Sequence, residues 1–215
     1  MRKVLLATVF GSAVALSGQA MAQGFQSGGV SVGGTVNQNT TINAPVNSYS
    51  HDGGSAKTTI GAISNSDVGG TLDQNTTINA PIYTHGGDGG AAEARIGVVD
   101  GAEVSGDLQQ NTTVNYGVTT DAHGSNAEAL TDIGVAKDAK VAGDLVQNTY
   151  IDAYVGTYAS GSNSRAVTEI GKINDADVGG TLNQNTYLNA DVYTEAYDSN
   201  SEACTTIGLV GKSEC

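Results

Sequence analysis

Hydrophobic and polar residues alternate strictly along most of this chain, and the alternation restarts at a fixed interval. Between Val68 and Ile82, the residues Val68, Gly70, Leu72, Gln74, Thr76, Ile78, Ala80 and Ile82 share one face, while Gly69, Thr71, Asp73, Asn75, Thr77, Asn79 and Pro81 share the other. A period of two with one apolar face is a β-strand pattern, and a slip of one residue would exchange the faces. A loop dense in turn formers follows, such as His85-Gly86-Gly87-Asp88-Gly89-Gly90 or Ser160-Gly161-Ser162-Asn163-Ser164; Gly, Asn and Asp tolerate positive φ. A second strand comes next, with Ala56, Thr58, Ile60 and Ala62 on one face in the first unit and Ala203, Thr205, Ile207 and Leu209 in the last. A short polar corner (Ser64 to Asp67, Asp100-Gly101, Lys137-Asp138, Asn174-Asp175) leads to the next unit. Each unit therefore reads as strand, loop, strand, corner.

The unit occurs five times, at 32–67, 68–103, 104–140, 141–177 and 178–215, with a step of 36–37 residues. Gln-Asn-Thr recurs in every copy, and Ile-Gly pairs at Ile60, Ile96, Ile133, Ile170 and Ile207 keep nearly the same step. A repeat of this length is one supersecondary unit that buries its apolar face only against its neighbours. The predicted fold is all-β: a repeat β-solenoid, an amyloid-like stack in which each copy makes one coil and equivalent residues lie about 4.8 Å apart. An antiparallel meander accommodates the same strands but leaves the recurrence of Gln and Asn at one step unexplained. Side-chain amides stacked over one another donate and accept along the pile. The ladder candidates are Gln38, Asn39, Gln74, Asn75, Gln110, Asn111, Gln147, Asn148, Gln184 and Asn185. No distinct capping unit is evident in the sequence, so both ends are expected to present open strand edges that template further pairing.

The termini and the composition add a compartment. Arg2 and Lys3 precede an uncharged, largely apolar run from Val4 to Leu16, and a polar stretch then ends in Ala20-Met21-Ala22. This is the pattern of a secretory signal peptide over 1–22, cleaved after Ala22; the run falls short of the ~18 apolar residues of a membrane span. Residues 23–31 form a short Gly/Ser-rich lead-in. The chain carries 22 acidic against 9 basic residues, a formal charge of −13. That balance argues against nucleic acid or anionic lipid as a partner and leaves room for divalent cations. With 30 Gly, no Trp and two Phe, the chain can fill a thin β core but not a bulky one. The only two cysteines, Cys204 and Cys215, lie close together, and in an oxidising compartment a local disulfide is the default reading, with cross-linking to a neighbouring molecule as the rival.

On the leader, the five tandem copies and the Gln-Asn-Thr-x-[Ile/Val/Leu] core, the chain resembles bacterial functional-amyloid fibre subunits of the curli and Fap type. The likeness is one of architecture: exported, acidic, small-residue-rich chains built of imperfect repeats with Gln and Asn at fixed positions. It implies a secreted subunit of an extracellular matrix or adhesion fibre, partnered by copies of itself, by a dedicated secretion pore and by a nucleator.

Catalytic chemistry is not expected, because no paired acid and base recur in a groove, and no cofactor is called for. His51, His85 and His123 lie in the first loop of the first three copies, each near an Asp (Asp52, Asp88, Asp121), and are weak candidates for a metal site. Their offsets from the preceding Gln of the ladder are 13, 11 and 13, so their stack is expected to be imperfect. The outward row Asn39/Thr41, Asn75/Thr77, Asn111/Thr113, Asn148/Tyr150 and Asn185/Tyr187 supports an alternative function, a monomeric adhesin-like module binding carbohydrate or another surface.

Overall fold

A computed structural model describes residues 31–212 of the chain, so the leader assigned to 1–22, all of the lead-in but Ser31, and Cys215 lie outside the described residues. The described chain is all-β, and every strand pair is parallel. It winds as a β-solenoid of five coils, which excludes the antiparallel meander. Three long sheets of five strands run along the axis, each taking one strand from every coil, and two ladders of two-residue strands close the section.

The coil differs in one respect from the sequence reading. The long first strand is three strands, which in the second coil are Asp67–Val68, Leu72–Ile78 and Ile82–Gly86. The third long sheet follows at Ala91–Ile96, and Val99–Asp100 leads back. The breaks at Gly69-Gly70-Thr71 and Asn79-Ala80-Pro81 leave the alternation intact, since Val68, Leu72, Gln74, Thr76, Ile78, Ala80, Ile82 and Thr84 are all buried. A bend that preserves parity leaves no mark in a period-two pattern, which is why these corners are silent in the sequence. Pro81 sits where no ladder bond needs its nitrogen: Asn79 N–H donates to Ile42 and Ile82 N–H to Gly117, bracketing it.

The turns that were legible are built as their residues demand. Asp52, Asn126, Asn163 and Asn200 take positive φ in the loop between the second and third long sheets. At the end of the third sheet, the glycine of each Ile-Gly pair does the same: Gly61, Gly97, Gly134, Gly171 and Gly208 have φ of 55–61°. A Cβ on Gly61 would also stand 2.1 Å from the Thr76 hydroxyl, so only glycine can turn this corner.

Two apolar columns fill the tube. One stacks Ile78, Ile82 and Ile96 with their counterparts, and the other stacks Val68, Leu72, Val99 and Ala102 with theirs. Where the second and third sheets converge only small residues pack: Ala92, Ala129 and Ala166 meet Ala122 and Ala159, whose row is held by Ser50 and Gly86 in the first two coils. Beside them runs a chain of threonine hydroxyls, buried through the middle coils and exposed at its last member, that the sequence alone does not reveal. It zigzags between the two sheets from Thr120 through Thr131, Thr157, Thr168 and Thr194 to Thr205, with steps of 2.7–2.8 Å. A shorter segment joins Ser48, Thr58 and Thr84.

The two segments stop at Ala94, which occupies the row held by Thr58, Thr131, Thr168 and Thr205 in the other coils. Ala94→Thr places a hydroxyl between Thr84 and Thr120 at a site shaped for threonine. The expected gain is about 1 kcal/mol, or roughly 2–4 °C in Tm by calorimetry. A lower Tm would show that the second coil is too tight there for the extra atoms.

Candidate functional site

The ladder residues lie on the first long sheet, whose strands are Val36–Ile42, Leu72–Ile78, Leu108–Val114, Leu145–Ile151 and Leu182–Leu188. Registry pairs Gln38, Gln74, Gln110, Gln147 and Gln184 in one column and Asn39, Asn75, Asn111, Asn148 and Asn185 in the next. The glutamines point inward and the asparagines outward. Gln74, Gln110 and Gln147 are fully buried. Each glutamine Nε2 donates to the Oε1 of the preceding coil, at 3.1, 3.1, 2.8 and 2.9 Å along the pile. The asparagines repeat the geometry at 2.8–3.0 Å.

The second hydrogen of each inner amide crosses the tube. Gln74, Gln110 and Gln184 donate to the carbonyls of Gly61, Gly97 and Gly171. The two sequence landmarks that share a step, Gln-Asn-Thr and Ile-Gly, therefore touch each other through the core. The threonine of the first landmark packs on the glycine of the second, and the hydroxyls of Thr76, Thr112, Thr149 and Thr186 have no hydrogen-bond partner there. The hydrogen that glycine carries in place of Cβ points at that hydroxyl, a Cα–H···O contact. An apolar side chain in place of the glutamine would leave buried carbonyls on both sides without donors.

A third amide ladder went unremarked in the sequence although it lies in the same motif. Asn79 donates to Asn43, Asn115 to Asn79 and Asn189 to Asp152, at 2.8–3.0 Å. Asp152 has no amide hydrogen to pass on, so this pile breaks between the third and fourth coils.

The ladders share one direction, since every donor belongs to the later coil. At the last coil nothing among the described residues donates to the Gln184 or Asn185 side-chain oxygens. At the first, the Asn39 amide donates to nothing described and Gln38 reaches only the Ala62 carbonyl, at 3.5 Å. The ends differ in cover. Leu182 and Ile207 are 37% and 42% exposed, whereas Leu145 and Ile170, one coil earlier, are 0%. At the first coil, Ile42 and Val46 are buried, so that end is less open than the sequence implied.

On the outer surface, Thr41, Thr77, Thr113, Tyr150 and Tyr187 form one column. Tyr150 and Tyr187 are exposed and stack with ring centroids 5.0 Å apart and planes 3° from parallel. Cys204 lies on the last strand of the third sheet, Glu202–Ile207, and is disulfide-bonded.

Of the three histidines, the structure groups two. His85 faces Asp121 across adjacent strands and His123 lies two residues beyond it, while His51 stands apart. Asp88, expected beside His85, is not in the group; Asp121 serves both rings. The shared offset of His85 and Asp121 from their own ladder glutamines was the signal that could have paired them.

A second charged group escaped sequence reading altogether. Asp100, Arg95, Asp132, Lys137, Glu169 and Lys172 form a run of alternating sign over three coils, with links of 2.7, 3.7, 3.0, 2.9 and 2.5 Å. Asp132 and Glu169 are like charges stacked in register, and Lys137 lies between them. Burial pushes the Asp132 carboxyl up, against the pull of Lys137 and Arg95. For Lys137, burial opposes the charge, but Asp132 and Glu169 outweigh it and hold the ammonium above its ordinary value. Burial likewise opposes the Glu169 carboxylate, and hydrogen bonds from Lys172 and Lys137 overcome it, so its value falls. Glu169 thus contributes stability above its ordinary 4.5, lost as pH drops through the lower folded value.

Two substitutions test these networks. Gln110→Glu removes both donors and faces a carboxylate to the Gly97 carbonyl and the Gln74 oxygen. Denaturant unfolding should show a loss of about 3 kcal/mol or more at pH 7, shrinking toward pH 4 as burial favours the protonated acid. Lys137→Met strands Asp132 and Glu169 against each other and should cost about 3–5 kcal/mol at pH 7. That loss should also shrink in acid, because Asp132, already pushed up by burial, loses a cation that holds it down and takes its proton more readily. A cost independent of pH in either variant would mean that packing, not charge, governs the site.

Comparison with protein-family models, with curated proteins and with solved structures finds no match for this chain.

Proposed function

We propose that the protein is a secreted structural protein, a self-assembling amyloid-like fibre subunit of an extracellular matrix or surface-adhesion fibre. The observation that carries this reading is the last coil, where Leu182 and Ile207 expose the core beside the unused acceptors of Gln184 and Asn185. The first coil offers the complementary donors of Gln38 and Asn39. Copies joined head to tail continue the same piles, a heterologous contact that generates a filament rather than a closed ring. Export is supported by the Arg2-Lys3 leader with its apolar run and by the disulfide at Cys204.

A second reading, a monomeric module that binds carbohydrate through its flank, is favoured by the exposed, parallel Tyr150–Tyr187 pair beside the registered Asn and Thr columns. Flat aromatic faces with polar rims suit sugar rings.

Incubation of the leaderless chain separates the two. Filaments with cross-β diffraction should appear after a lag that added fragments shorten. Leu182→Lys, which sets an ammonium in the open end of the core, should keep the β spectrum of the subunit and abolish growth. Unchanged growth in that variant sinks the head-to-tail contact. A wild-type chain that stays monomeric for days while retained on a polysaccharide matrix selects the second reading.

A further inference from the structure

The side of the second long sheet, away from both ends of the stack, carries a cluster that neither ladder nor core uses. His85 lies on the strand Ile82–Gly86, and Asp121 and His123 on the adjacent strand Val118–His123. Parallel pairing sets Asp121 directly beside His85. Alternation turns His123 to the same side. The Asp121 Oδ2 lies 3.4 Å from His85 Nδ1 and 2.9 Å from His123 Nε2, and the three ligand atoms lie within 4.8 Å of one another. A tetrahedron built on metal–nitrogen and metal–oxygen bonds of ~2.0–2.2 Å has edges of about 3.3–3.6 Å, which the His85–Asp121 distance already meets and the His123–Asp121 distance reaches on opening by about half an ångström.

Each member of the cluster is held from outside. His123 Nδ1 lies 2.6 Å from the Ser160 hydroxyl, which can take its proton and leave the Nε2 lone pair facing inward. The Tyr83 hydroxyl lies close enough to feel Asp121: it is pushed up first by burial and then by the Asp121 charge. Tyr83 stacks on His85 with centroids 6.0 Å apart and planes 8° from parallel, fixing that ring. His85 Nδ1 is buried and makes no hydrogen bond, although it faces the carboxylate. A bound cation would use this lone pair and Asp121 together.

We propose that His85, Asp121 and His123 form a binding site for a borderline divalent transition ion of the zinc type, with a fourth position open to water. Two imidazoles and one carboxylate favour such an ion over calcium, which prefers all-oxygen shells. The ligands come from the second and third coils, so the ion clamps adjacent turns of the solenoid from its flank. It leaves both ends of the stack free, and the site stands or falls independently of fibre growth.

Zinc titrated calorimetrically into the folded chain is expected to bind at one equivalent. It should raise Tm by roughly 5–10 °C at about a hundredfold excess over Kd. His85→Gln, His123→Gln and Asp121→Asn should each abolish the binding and the shift while leaving the β spectrum unchanged. Ser160→Ala should weaken binding about tenfold or more, by freeing the His123 ring. His51→Gln, outside the cluster, should bind as wild type. Failure of the wild-type chain to bind zinc would overturn the proposal. So would equal loss in the His51 and His85 variants, or displacement of zinc by excess calcium. A Tm that moves with protonation of the histidines but not with zinc would identify a simple ion-paired triad, and that also overturns it.

Discussion

The coils are kept in step by an amide that can be satisfied only by a copy of itself. Gln110 is wholly buried, and its side chain must find one acceptor in the coil before, one donor in the coil after and one carbonyl across the tube. No water reaches it to make up a deficit, so any slip of one coil against the next leaves several buried groups unpaired at once. Apolar columns alone would tolerate sliding, because Ile, Val and Leu are interchangeable along a pile. The glutamines convert a greasy tube into one with a single permitted register. The outer asparagines, half in water, add the same geometry with less at stake.

Charge management follows from the same stacking. In-register parallel sheets place each residue over its counterpart, so a carboxylate repeated in neighbouring coils repels itself. The chain meets this by changing the residue from coil to coil: the column that holds Asp132 and Glu169 holds Arg95 below them and Thr206 above. Lys137, from the neighbouring short ladder, separates the two acids. Imperfection of the repeat is therefore functional at outward positions, whereas the inward glutamine does not vary.

The period, the all-β class, the parallel stack and the amide columns were legible because each repeats once per coil and so stands out against the rest of the sequence. The polar turns were legible because Asn, Asp and Gly announce their backbone geometry. What stayed hidden shares a different character. The corners at Gly69-Gly70 and Asn79-Ala80-Pro81 preserve parity and look like uninterrupted strand. The threonine zigzag alternates between two strands of each coil, so no single column displays it. The Asp100-to-Lys172 run crosses between columns, and the pairing of His85 with Asp121 joins unlike residues that a search for repeated histidines passes over.

The loop between the second and third sheets is where the chain absorbs its one irregularity in length. Four residues separate Gly86 from Ala91, but five separate Ala122 from their counterpart's partner Glu128, with the register of both flanking sheets unbroken. Closing a slightly longer surface loop costs little. That edge is thus a margin along which added segments could be written without disturbing the stack. Five such sites lie one above another at about the strand spacing. A chain of this build can display a dense, one-dimensional row of peptide cargo.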